Sequence, residues 1–130
     1  MIQLQEIRIG NLVFDKKRNR IVTVWGIESN HDKIVVNFAN GSGVYSIDLK
    51  HIEPIPLTEE WLLDFGFEEK SKSKNFYLGN FKFNILKPAN YNGFIFCDGY
   101  YVITDRIKYV HQLQNLYFDL KGEHLMFKNK

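Results

Sequence analysis

A chain of 130 residues that is 45% hydrophobic and 15% aromatic has the material for a buried core and excludes a disordered polymer. A formal net charge of +2 excludes strong bulk attraction to nucleic acid, while leaving room for a local basic patch. No apolar run approaches the ~20 residues of a membrane span, and the single cysteine, Cys97, excludes an intrachain disulfide.

Met1-Ile2-Gln3-Leu4-Gln5-Glu6 has neither the basic nor the apolar region of a secretory signal, so a cytoplasmic location is expected. Asn11-Leu12-Val13-Phe14 and Arg20-Ile21-Val22-Thr23-Val24-Trp25 then read as strands around a polar turn, Asp15 to Asn19. Lys33 to Phe38 is a third strand. Asn40-Gly41 supplies positive-φ residues for a tight reversal into Gly43-Val44-Tyr45-Ser46-Ile47. Short strands joined by short turns predict a small SH3-like β-barrel or a meander over residues 1–53.

Pro54-Ile55-Pro56 interrupts that pattern, because neither proline fits a helix interior or a central strand. Thr58 is a good N-cap, Glu59 and Glu60 put negative charge in the first turn, and Gly66 is a stop. A short helix follows, with Trp61, Leu62 and Phe65 inward and Leu57 positioned to staple onto Leu62. Glu68 to Asn75 reads as a charged loop. Phe76-Tyr77-Leu78 and Phe81 to Ile85 flank Gly79-Asn80 as a hairpin, with Phe81, Phe83 and Ile85 on one face. Phe94 to Cys97 and Tyr100 to Ile103 flank Asp98-Gly99 as a second hairpin. Val110, Leu113, Leu116, Tyr117 and Leu120 recur at helical spacing, and Lys121-Gly122 ends that helix. Leu125-Met126-Phe127 is read as a closing strand. The expected class is α+β, with modules 1–53 and 54–130 packed as one compact unit.

Catalytic chemistry is hard to find. Gly41-Ser42-Gly43 lies between strands, as a hairpin turn does, and does not open a helix as a phosphate loop must. Cys97, His31, His51, His111 and His124 are scattered, so neither a metal nor another cofactor is expected. Cys97 sits among aromatics at a hairpin end, where a packing role is expected. The adjacent pairs Glu59-Glu60 and Glu68-Glu69 are explained by helix capping and a solvated loop. The chain is therefore expected not to be an enzyme, and no small-molecule substrate or membrane partner is expected.

Two basic clusters remain, Lys16-Lys17-Arg18-Asn19-Arg20 at a hairpin tip and Lys70-Ser71-Lys72-Ser73-Lys74 in a loop. With Tyr45, Tyr77, Tyr100 and Tyr101 on sheet surfaces they would make a platform for RNA or DNA, stacking bases and pairing phosphates. Solvated turns whose lysines guard sheet edges would look the same. His111, four residues after Ile107, is expected to pack partly inside and bond a backbone carbonyl, or else to contact a partner.

Three stretches, taken together, resemble a known family. They are Ile7-Arg8-Ile9-Gly10-Asn11-Leu12-Val13, the run from Pro54-Ile55-Pro56-Leu57 through Trp61 to Gly66-Phe67, and Tyr109-Val110-His111-Gln112-Leu113-Gln114-Asn115-Leu116-Tyr117-Phe118. The family comprises short proteins of phages, prophages and mobile elements of the Bacteroidota, and it carries no assigned activity. The resemblance implies an accessory protein acting in the host cytoplasm on a host protein or ribonucleoprotein complex. One such role is an anti-CRISPR-like inhibitor of a host defence nuclease or its guide RNA complex.

Overall fold

A computed structural model of the chain describes residues 4–28, 33–38, 43–70, 74–89, 91–99 and 101–126. Backbone contacts divide the chain into two units, residues 1–55 with 109–116, and residues 56–108 with 117–130.

Period-two burial builds the sheet of the first unit. Its strands are β1 (Leu12–Asp15), β2 (Arg20–Ile27), β3 (Lys33–Phe38), β4 (Val44–Asp48) and β5 (Ile52–Glu53), all antiparallel in the order β4-β3-β2-β1-β5. Val22, Val24, Ile34, Val36 and Ile47 turn to one face and join Ile7, Val13, Leu49 and Ile52 in the core, with Tyr45 packed against it. A register shift in the β2–β3 pairing between Val24 and Gly26 leaves Trp25 exposed. A 3-10 turn, Leu49–His51, leads into β5. The sheet is open, with β4 and β5 as its edges, and the expected closed barrel is not formed. The physical reason is β5, whose two residues pair with β1 at Phe14 and Asp15 and reach no further. The expected Asn40-Gly41 reversal and His31 lie outside the described residues.

Helix α1 (Glu59–Asp64) of the second unit starts as its sequence predicts. The Trp61 N–H donates to Thr58 Oγ1 at 3.2 Å, which satisfies one orphan donor of the first turn. It stops at Gly66, φ 99°, where the Phe67 N–H reaches Leu62 O (2.9 Å) and the Gly66 N–H reaches Leu63 O (2.9 Å). That pair of bonds is a Schellman closure and needs the left-handed residue. Leu62 and Phe65 are fully buried, whereas Trp61 is only half-buried.

The second sheet is an antiparallel meander of β6 (Glu68–Glu69), β7 (Asn75–Tyr77), β8 (Asn84–Leu86), β9 (Phe94–Asp98) and β10 (Tyr101–Ile107). Several expectations change here. Glu68 and Glu69 are not loop but an edge strand paired with Tyr77 and Phe76. The β7–β8 connection is six residues, 78–83, because Tyr77 pairs with Asn84. Phe81 and Phe83 leave the strand to pack their rings at 6.2 and 5.4 Å from Phe96, and Phe81 lies 4.8 Å from Tyr117. Aromatic contact outweighed alternation. Asp98 pairs with Tyr101, so β9 runs one residue beyond the expected hairpin arm. Leu125 and Met126 are not in a strand, and Phe127 lies outside the described residues.

Helix α2 (Val110–Lys121) ends at Gly122, φ 79°, whose N–H bonds Phe118 O at 2.8 Å. Its buried face is not the purely apolar stripe expected. Val110, Leu113 and Tyr117 are buried, but Leu116 is half-buried and Leu120 is 42% exposed. His111 and Gln114 take those inner places.

Candidate functional site

The first basic cluster grows out of one buried carboxylate. Asp15, at the end of β1, is fully buried. Its Oδ1 accepts the N–H groups of Lys17 (2.9 Å) and Arg18 (3.1 Å), a side-chain turn that lets Asn19 take φ 56°. Its Oδ2 accepts Tyr45 Oη (2.6 Å) and Arg18 Nη1 (3.3 Å). Burial alone would push the Asp15 carboxyl up. The bonds from Tyr45, Arg18 and Lys17 outweigh it and hold Asp15 below its ordinary value. Burial, with Asp15 beside it, pushes the Tyr45 phenol up. The Arg18 guanidinium stands 4.3 Å over the Tyr45 ring, and that of Arg20 stands 3.9 Å over Phe38 and 5.2 Å over Tyr45. Lys16 Nζ pairs with Glu53 at 3.5 Å. Lys17 is exposed, and among the described residues its ammonium makes no ion pair. Tyr45 is therefore a half-buried ring covered by arginine, not the open stacking surface expected.

The second cluster belongs to the other unit. Lys74, at φ 60°, donates its N–H to Glu69 Oε2 (2.9 Å) and pairs its Nζ with Glu59 (3.1 Å), which pushes its ammonium up. Lys70 Nζ lies 4.9 Å from the Tyr77 ring centre. Lys72 and Tyr100 lie outside the described residues.

His111 anchors a polar network that the sequence did not reveal. Its side chain is 1% exposed, and Nε2 lies 3.1 Å from Glu6 Oε1, a carboxylate where a backbone carbonyl was expected. Nδ1 is buried and, among the described residues, has no hydrogen-bond partner. Burial pulls the imidazole below its ordinary value, against the pull of Glu6. Around it Asn115 Nδ2 donates to Glu6 O (3.0 Å), Asn11 Nδ2 to Asn115 Oδ1 (2.7 Å), and Gln114 Nε2 to Gly10 O (3.2 Å). Gln114 Oε1 accepts the Leu12 N–H at 2.8 Å. Gln5, Glu6, Arg8, His111, Gln112 and Asn115 line a polar pocket of about 310 Å³. Two of the three stretches singled out from sequence, Ile7–Val13 and Tyr109–Phe118, thus meet through their polar side chains. The signal available beforehand was Asn11, Gln114 and Asn115 embedded in otherwise apolar runs.

On strand β10 the sequence singled out Tyr101 as a surface residue but not Val102 and Ile103 beside it. β10 is an edge strand of the second sheet, and Tyr101, Val102 and Ile103 are 77%, 61% and 46% exposed. Register shifts against β9 fall between Val102 and Thr104 and between Thr104 and Ile107, so strict alternation does not hold along the strand. Three successive apolar residues without polar alternation were the readable sign.

Cys97 is buried and its thiol is pushed up by burial, which disfavours the thiolate a nucleophile needs. Among the described residues no three His, Cys, Asp or Glu side chains gather as a metal site. Among the same residues no helix is long and apolar enough to cross a membrane. Comparison with protein families, with curated proteins and with solved structures gives no match.

Proposed function

We propose that this chain is a non-enzymatic accessory protein of phages and mobile elements of the Bacteroidota. In this reading it works in the host cytoplasm by occupying the surface of a host protein or ribonucleoprotein, as an inhibitor of a defence nuclease or its guide RNA complex. The observation that supports a protein-facing surface is β10, an edge strand that exposes Tyr101, Val102 and Ile103 in succession. An edge offers backbone donors and acceptors to an added strand, and its apolar side chains give that strand something to bury. The finer reading of the first unit as SH3-like is supported by its strand order and by the 3-10 turn before β5.

A second reading, RNA or DNA binding, rests on Lys17 and on the arginines over Tyr45 and Phe38. It ranks lower because Lys16, Arg18 and Lys74 already hold carboxylates of their own units. A pull-down of tagged protein from host lysate, with and without nuclease, separates the two. Capture of a specific protein or ribonucleoprotein that survives nuclease and is lost in Val102→Lys supports the first reading. Bulk nucleic acid lost on nuclease treatment, with Val102→Lys unaffected, overturns it in favour of the second.

A further inference from the structure

We propose that Glu6 and His111 form an acid-sensitive latch, in which protonation of His111 releases the 3-10 turn Leu4–Glu6 from helix α2 and opens the polar pocket beside it. A carboxylate only accepts hydrogen bonds, so the contact between His111 Nε2 and Glu6 Oε1 (3.1 Å) requires the proton on Nε2. Nδ1 is then the bare nitrogen, buried and, among the described residues, without a partner. A second proton must go there, creating a buried N–H with no acceptor and a charge inside a side chain that is 1% exposed. The closed arrangement holds the neutral ring well and the cation poorly, and burial pulls the imidazole pKa down accordingly.

The groups facing His111 fix the sign. Glu6, from the 3-10 turn, favours the cation, and Arg8, lining the same pocket, opposes it. Tyr109 lays its ring parallel to the imidazole, 13° from coplanar at 6.0 Å, and adds no formal charge. Burial outweighs Glu6, so relief comes from reaching water. Helix α2 is the part that stays, because Val110 and Leu113 on either side of His111 are fully buried. The three-residue turn is the part that yields. It is tied by polar contacts to His111 and Asn115 that water can replace, while Ile7, buried just after it, acts as the hinge.

The test is an NMR titration of the His111 ring alongside hydrogen exchange of the Asn115 side-chain amide, which donates to Glu6 O. Corrected for intrinsic rates, the opening constant should rise about tenfold per pH unit as pH falls below the free-imidazole value, with Val24 and Leu113 amides unchanged. His111→Gln, whose amide can still donate to Glu6, should abolish the pH dependence. Glu6→Gln should leave the onset, set by the free imidazole, in place and extend the rise to lower pH, since a stabiliser of the closed-state cation is gone. Flat exchange while His111 titrates overturns the latch. So does loss of protection at Val24 and Leu113 together with the Asn115 amide, or a transition that persists in His111→Gln.

Discussion

Tyr45 donates its phenolic hydroxyl to Asp15 Oδ2 at 2.6 Å, across 30 residues of sequence, from β4 to the end of β1. The same carboxylate caps the hairpin turn through the Lys17 and Arg18 N–H groups. One buried side chain thus fixes the turn, a strand end and the arginine stack.

Removing that carboxylate should be costly. Asp15→Ala orphans the Tyr45 hydroxyl and two turn N–H groups, an expected loss of about 2–4 kcal/mol. Because folding lowers the Asp15 pKa below 3.8, its contribution is present above that value and is lost as pH falls through the lowered one. Urea midpoints measured from about pH 6 to about pH 2.5 should fall in the acid limb, and Asp15→Asn should flatten that limb. An unchanged limb in Asp15→Asn would refute the assignment.

Helix α1 supplies a graded series. Thr58→Ala should cost about 1 kcal/mol through the lost cap. Phe65→Ala should cost about 3–5 kcal/mol, because the ring is fully buried. Trp61→Ala should fall below Phe65→Ala, since the indole is only half-buried. Thermal melts that rank Trp61 above Phe65 would contradict this core.

The basic hairpin should divide by residue. Arg20→Ala should lower stability by about 1 kcal/mol through its contacts over Phe38 and Tyr45. Lys17→Ala should stay within about 0.5 kcal/mol of the parent. If the tip contacts phosphates, Lys17→Ala should still reduce the log–log salt slope of nucleic-acid binding by roughly 0.7 to 0.9. Chemical denaturation and a salt titration read the two effects separately.

Gln114 should behave as a core residue although it is polar. Gln114→Leu leaves the Leu12 N–H and the Gly10 carbonyl without the bonds now at 2.8 and 3.2 Å. The orphaned Leu12 donor alone should cost about 1–3 kcal/mol. Gln112→Leu, one position from His111 but half-buried, is the milder comparison. A Gln114→Leu denaturation midpoint equal to that of the parent would show that the network carries no stability.

Local rules made much of the chain readable. Thr58 and Gly66 bound α1 because an N-cap oxygen and a left-handed residue act within one turn of where they stand. The runs Arg20 to Trp25 and Lys33 to Phe38 were readable as strands because β-branched residues crowd them. Of the candidate site, Arg18, Arg20, Tyr101 and His111 were identified by residue type, but their surroundings were not.

What the sequence alone determined was therefore the α+β class, most of the strand and helix segments and the stops of both helices, all set by interactions a few residues long. Tertiary structure decided the rest. It placed Asp15 under Tyr45, sent Phe81 and Phe83 to Phe96, left Val102 outward on an edge, and turned His111 and Gln114 inward in place of Leu116 and Leu120. The contacts of Asp15, Phe81, Phe83, His111 and Gln114 depend on partners 13 to 105 residues away, as Phe83 with Phe96 and Glu6 with His111 show. A buried polar group is tolerated only where such a partner meets it, so periodicity, which sees polarity but not partners, reads that group as surface.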